Sequence, residues 1–345
     1  MRAQPMQSKY LTIHDVARAA GVSTATVSHA FNSTGRITGE TRKHVLAVAR
    51  RLKYYPNRHA RSLASHSSRT LGVIVSDIEN PFFAVAVRSF EARAHYWRYE
   101  VIVSETNYQL ALMRRAAERM LEQKVRGVAI LTSEMSPAWL QEIVQRDIPV
   151  TCFDLDFTSD RASNIKVDYA AGMHQVIDHL YRLGHRRIAF AGGQPTFKNI
   201  VSRQDSYIAC MERLGLDPGP IVIGNQRLEG GHQAGLAIAE LSPRPTAVAA
   251  VNDLTAVGLI RAFSEKGLRV PEDISVTGFD NTDLAAYFLP RLTTVDMHPD
   301  VLGRSAADAL HDGSSSARAS AREYTIQINL VVGKSTGPAP ALGAF

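Results

Sequence analysis

Two groups of side chains in this 345-residue chain are placed for chemistry, and both suit holding a partner rather than breaking bonds. The first is a run of short groups, Thr24, Ala25, Thr26, Ser28 and His29, inside TIHDVARAAGVSTATVSHAFN, which runs from Thr12 to Asn32. Short hydroxyls and an imidazole let a helix approach base edges and phosphates, where long Lys and Glu side chains would stand in the way. The second is a set of acids that close apolar runs: Asp77 after LGVIVS, Asp154 after IPVTCF, Asp253 after AVAAVN and Asp280 after SVTGF. The carboxyl ends of strands are where open α/β sheets bind ligands. Catalytic motifs are missing: no GxGxxG follows a strand, and P-loop and HExxH patterns are absent. The twelve histidines are scattered and the two cysteines lack CxxC spacing, so no catalytic residue, metal, cofactor or disulfide is assigned.

Three helices must position the first group. Thr12 with Asp15 makes a capping-box-like start, and Ile13, Val16, Ala17 and Ala20 recur at helical spacing until Gly21 breaks the run. Ser23 can cap a second helix that turns Val27, Ala30 and Phe31 to one side and Ala25, Ser28 and His29 to the other, with Thr24 and Thr26 flanking. A third helix is expected from Glu40 to Lys53, capped near Thr38, with Val45, Val48, Ala49 and Leu52 closing a core against Phe31. Pro56 ends the unit. The following NRHARSLAS, 57 to 65, is short, basic and poor in apolar residues, so alone in water it should be largely unfolded. Residues 1 to 68 hold eleven Lys and Arg against two acids, a net +9, so the remainder carries −3 of the chain's +6. A cationic module on a mildly acidic body fits a polyanion such as DNA, with an attraction that falls steeply with salt.

From Leu71 the texture changes to short apolar runs alternating with amphipathic helices, which implies parallel sheets covered by helices. SSSARASAR, 314 to 322, reads as a flexible surface loop. The start lacks the apolar run of a signal peptide and no stretch of about eighteen apolar residues occurs, so no membrane partner and a cytoplasmic location are expected.

The combination of DVARAAGVS, TVSHAFN, ITGETRKHVLAVARRLKY and YYPNRHARSLAS with a long α/β body resembles the LacI/GalR family of bacterial transcription regulators over almost the whole chain. The resemblance implies an N-terminal all-α helix-turn-helix headpiece and an α/β body of the periplasmic-binding-protein type I, two Rossmann-like lobes of parallel sheet. The headpiece would cover 1–56, a hinge 57–69, the body 70–335 and a tail 336–345. The first lobe would take about 70–168 with about 293–312, and the second about 169–290 with about 323–333. It implies a homodimeric repressor of palindromic operator DNA: Thr24, Thr26 and His29 nearest the bases, Ala25 against a thymine methyl, Ser28 on the same face, and Thr12, Ser23 and Asn32 on phosphates. In the family the hinge folds on DNA and wedges a leucine between base pairs in the minor groove, a role that maps onto Leu63, with Asn57 opening the segment.

A small-molecule effector is implied in the cleft between the lobes, with Asn80, Phe82, Phe83, Asp154, Arg203, Asp253 and Asp280 as the residues facing it. In NPFF two adjacent aromatics can stack on a sugar ring while Asn80 bonds its hydroxyls, although Phe83 equally suits stapling the helix. Arg203 and Asp253 match the family's ligand-facing pair and would grip adjacent hydroxyls, while Asp253 also fits a helix N-cap and Asp280 an ordered turn. Sugar-binding relatives carry an Arg after the position of Asp154; this chain has Leu155, which argues against a ribose-like ligand. A carbohydrate is favoured over a purine, and the sign of coupling to DNA stays open. The tail KSTGPAPALGAF has no leucine heptads, so a dimer is expected rather than a tetramer. A solute-binding protein of a transport system would suit the body alone, but the basic head and the missing signal peptide oppose it. An enzyme on a Rossmann-like sheet would have to show ligand turnover.

Overall fold

The three expected head helices and the alternating body elements are present in a computed structural model of the chain, which describes residues 11–32, 37–54, 68–132, 135–155, 157, 159–194, 197–315 and 322–341. Asn57 and Leu63, and with them the hinge, lie outside the described residues, as does the side chain of Asn32. The chain divides into two units, Met1–Ser68 and Arg69–Phe345.

In the first unit α1 (Ile13–Ala20) starts where Thr12 donates both its N–H and its hydroxyl to the Asp15 carboxylate, at 2.9 and 2.8 Å. Gly21 ends it in the left-handed region at φ 67°, where a Cβ would strain the backbone, and the chain turns at once. Helix α2 (Thr24–Asn32) is capped by Ser23, whose Oγ accepts the Thr26 N–H at 3.1 Å. Helix α3 (Gly39–Arg51) is capped by Thr38, which accepts the Thr41 N–H at 3.2 Å. Such caps contribute about 1 kcal/mol each. Val16, Ala17, Ala20, Val27, Ala30, Val45, Val48 and Ala49 form the core, and the Phe31 and Tyr54 rings close it edge to face at 6.0 Å. Arg42 Nε donates to the Ala30 carbonyl and His44 Nε2 lies 3.1 Å from the Ala20 carbonyl, so α3 also ties down the ends of α1 and α2.

The body runs β1 (Thr70–Val75), α4 (Pro81–Tyr96), β2 (Glu100–Glu105), α5 (Leu110–Glu122), β3 (Gly127–Leu131), α6 (Pro137–Gln145), β4 (Val150–Phe153) and β5 (Ala162–Val167). It continues with α7 (Tyr169–Arg182), β6 (Ile188–Gly192), α8 (Lys198–Arg213), β7 (Ile221–Ile223), α9 (Leu228–Ala239), β8 (Ala247–Ala250) and α10 (Asp253–Glu265). Last come β9 (Ser275–Thr277), α11 (Asp283–Tyr287), β10 (Thr294–Asp296), α12 (Pro299–Ser315), β11 (Glu323–Ile326) and β12 (Asn329–Val331). One lobe is a parallel sheet in the order β11-β5-β4-β3-β1-β2, the other a parallel sheet in the order β7-β6-β8-β9. Strands β3 and β4 are buried along their whole length, as helices on both faces of a parallel sheet require. Helix α12 returns against α4 so closely that a Cβ on Gly303 would stand 2.1 Å from the Ala86 carbonyl oxygen.

The chain crosses between lobes at 167–169, at 297–298 and at 327–328, and this moves two boundaries from where the sequence suggested. Residues 323–326 do not join the second lobe: β11 pairs with β5 and completes the edge of the first sheet. Residues 293–296 do not join the first: Gly278 N–H donates to the Thr293 carbonyl and Asp280 N–H to that of Val295, so β10 runs beside β9. The run YTIQINLVV is thus two short strands, the second pairing antiparallel with β10. Residues 336–341, set apart as a tail, pack against the second lobe because buried His185 needs them. Its Nε2 lies 3.0 Å from the Gly337 carbonyl and 3.1 Å from Ser275 Oγ, and its Nδ1 2.9 Å from Thr246 Oγ1. Burial pushes this imidazole down to about 4, so it is neutral near pH 7. Among the described residues no helix is long and apolar enough to cross a membrane.

Candidate functional site

The outward face of α2 is small and polar, as its spacing required. Val27 and Ala30 are buried and Ala25 is exposed, while Thr24, Thr26, Ser28 and His29 are half-buried along one side. The Ser23 and Thr26 hydroxyls bond each other at 2.9 Å, which fixes both at the helix start. Thr12 gives its hydroxyl proton to Asp15, so it meets a phosphate only by releasing that bond.

The cleft is built from strand ends and the first turns after them. Arg203, on α8, is buried with its guanidinium 4.7 Å from the Tyr169 ring centre and 4.6 Å from that of Phe279. Two aromatic faces hold the cation by its π surface and leave its edge for hydrogen bonding. Its Nη2 lies 3.9 Å from Asp280 Oδ1, and Nε finds no hydrogen-bond partner among the described residues. Asp280 follows β9 at φ 125°, a strained backbone of the kind that functional sites retain. Burial raises its carboxyl well above the usual range; Arg203 opposes that shift and nearby Asp253 adds to it. Asp154 ends β4 at φ 58°, near Tyr169. Burial first, and then that carboxylate, push the Tyr169 phenol well above its ordinary value.

Four expected residues do other work. Asp253 does not cap α10, because Asn252 does, accepting the Thr255 N–H at 2.8 Å. Nor does it face Arg203: one carboxylate oxygen accepts from the Thr282 N–H and hydroxyl at 2.7 and 3.0 Å, the other from the Thr294 hydroxyl at 2.5 Å. It is fully buried and stitches α10 to the strand crossover, with its carboxyl raised by burial to about 6 against these bonds. Asn80 caps α4, accepting the Phe82 N–H at 3.0 Å. Phe82 and Phe83 pack edge to face at 5.2 Å within the core, Phe82 against Phe153, so Phe83 takes the packing alternative, Phe82 is a core residue with it, and the two form no open aromatic platform. Leu155, in the place of the expected Arg, is buried in the first-lobe core. The two rings lie close to strand ends: Phe279 sits inside SVTGFD, and Tyr169 opens α7 two residues after β5. Nothing in the periodicity marks either as a wall for Arg203.

Residues 12–57 match the family of bacterial regulatory proteins of the lacI type, and residues 177–336 match the periplasmic binding protein-like domain. The HTH-type transcriptional repressor PurR of Photobacterium profundum is 32% identical over 327 residues, 94% of this chain and 98% of that protein. The chain belongs to the lacI family. As a lacI-family protein it is a DNA-binding transcription regulator with a helix-turn-helix head and a periplasmic-binding-protein-like body. The HTH-type transcriptional regulator DegA of Bacillus subtilis is 31% identical, over 95% of this chain and 98% of DegA. The crystal structure of a Lac repressor dimer bound to operator and the anti-inducer ONPF superposes with a TM-score of 0.82 at 28% identity, covering 95% of this chain and 100% of the other. A LacI-family regulator from Enterococcus faecium with bound ribose matches at TM-score 0.71 and 27% identity, covering 78% and 99%.

Proposed function

We propose that this lacI-family regulator is a cytoplasmic homodimeric repressor that reads a palindromic operator with α2 and is controlled by a hydroxyl-rich small molecule, a sugar or sugar derivative, in the cleft. Thr24, Thr26 and His29 read base edges in the major groove, Ala25 meets a thymine methyl, Ser28 supports the same face, and Thr12, Ser23 and Asn32 contact phosphates. Asn57 and Leu63 act in the minor groove between the half-sites. Binding of the effector changes how the lobes sit, and so whether the paired hinge segments can order on DNA.

The observation that carries the ligand class is Arg203. Its guanidinium is pinned between two rings with an uncommitted donor, and Asp280 stands opposite as an acceptor. A donor and an acceptor set this way match adjacent hydroxyls, and the cost of burying them is recovered only when both are bonded. The operator in the Lac repressor complex supports the DNA half of the reading, and the ribose in the Enterococcus faecium regulator supports a hydroxylated ligand in the cleft, while Leu155 argues that it is not ribose itself. No turnover of the ligand is proposed.

A gel shift with DNA upstream of the protein's own gene, alongside thermal shift with a panel of mono- and disaccharides and purine bases, tests it. The expected result is a palindrome-sized complex whose stability one saccharide changes in either direction. Absence of any complex at low salt would overturn the DNA reading, and a response to purines alone the ligand reading.

A further inference from the structure

The loops that follow β1 and β2 in the first lobe meet loops of the second at two places. Arg227, just before α9, sits in a loop fixed by Asn225, whose Oδ1 accepts the N–H groups of Arg227 and Gly230, each at 3.0 Å. From there its Nε donates to Asp77 Oδ2 at 3.0 Å, its Nη2 lies 2.9 Å from the same oxygen, and Nη2 donates to Asn107 Oδ1 at 2.7 Å. Beside them the Tyr108 ring rests on that of Phe197 at 5.8 Å. The two partners differ in exposure: the Asp77 side chain is 2% exposed, the Arg227 side chain 38%. The remaining oxygen of Asp77 accepts the Glu79 N–H at 2.9 Å, and Glu105 on the same side bonds the Ile78 N–H. The first lobe therefore presents an acidic rim, Asp77, Glu79 and Glu105, and the ion pair that Asp77 makes reaches across the cleft.

A carboxylate this buried is tolerable because it is paired and hydrogen-bonded. Without Arg227 the same burial would penalise the meeting of the lobes, since Asp77 regains water when they part. We propose that Arg227, Asp77 and Asn107 form a clasp that sets the balance between the parted and the joined lobes. The clasp acts with the effector rather than through it, and a weaker clasp leaves the cleft more open. This deepens the regulation of the cleft proposed above and rests on that reading for its consequence on DNA.

Hydrogen exchange on the full-length protein, with no ligand added, tests the clasp. Arg227→Met should speed exchange about tenfold at 76–80 and 104–110, in the lobe that does not carry the substitution, and Arg227→Lys should give a distinctly smaller effect. Asp77→Asn, which keeps the shape and removes the charge, should speed exchange at 224–230 in the opposite lobe. Protection in β3 and β8 should stay at the wild-type level, which separates opening from misfolding. If Arg227→Met and Asp77→Asn each leave the opposite lobe unchanged, or if Lys and Met at 227 behave alike, the clasp is wrong. A gel shift on the same samples keeps the two readings apart: failure of the wild type to bind DNA would remove the regulator reading and leave the exchange result to decide the clasp.

Discussion

The head and the cleft hold their partners by different kinds of assembly. In the head, the groups proposed to read base edges all lie on one nine-residue helix, and a cap, a left-handed glycine and buried Val27 and Ala30 place them. In the cleft, Arg203, Asp280, Tyr169 and Asp154 come from four separate elements and meet only after two sheets have formed. A site within one helix is specified by local periodicity, whereas a site at several strand ends is specified by topology. The two regions should therefore fail in different ways when substituted.

Val27 is fully buried beneath the reading face, so Val27→Asp places an unpaired charge in a core of eight residues. The head should lose more than about 4 kcal/mol and DNA binding should vanish in a gel shift, with the melting of the body by calorimetry unchanged. A body that melts with the head would break the comparison. Within the cleft, Asp253→Ala should destabilise the body by about 3 kcal/mol, because it strands the Thr282 and Thr294 donors. Asp280→Asn should instead abolish the thermal shift from the effector at little cost in stability. Exchange of these two outcomes would return the ligand role to Asp253.

His185 sharpens the contrast through pH. Its folded-state value is depressed to about 4 against 6.5 unfolded, so its neutral form contributes stability that is complete above about pH 6.5. That contribution, up to about 3 kcal/mol, is lost as pH falls from 6.5 toward 4. The body should show this loss in pH-dependent melting, and His185→Gln should flatten the profile. Leu63→Ala should weaken operator binding by roughly tenfold while leaving ligand affinity intact, and equal operator affinity would remove the wedge role. The smallest effect is at Ser23: Ser23→Ala should cost the head about 1 kcal/mol, read as a lower melting point of the isolated head transition.

Legibility in the sequence followed the same division. The caps at Thr12, Ser23 and Thr38 and the inward faces of all three head helices are where spacing placed them, since each depends on neighbours within four residues. The buried runs of β1, β3, β4, β6 and β8 were equally plain. Edge strand β7 and strand β5 were not, because neither has a continuous apolar run. An acid at a strand end shows only that it is near the cleft. Whether it faces Arg203, as Asp280 does, or threonine donors, as Asp253 does, depends on residues far along the chain, 29 and 41 positions away for Asp253. The aromatic NPFF motif misled for the same reason: Phe82 could not announce that Phe153 waits for it.

The most direct test of the account is a hydroxyl-radical footprint of the full-length protein on its own upstream DNA, run across a range of salt with and without the saccharide identified by thermal shift. Two protected half-sites about one helical turn apart are expected, with affinity falling steeply as salt rises and changing when the saccharide is added. A diffuse footprint with no half-site spacing, or a discrete one indifferent to every cleft ligand, would contradict it.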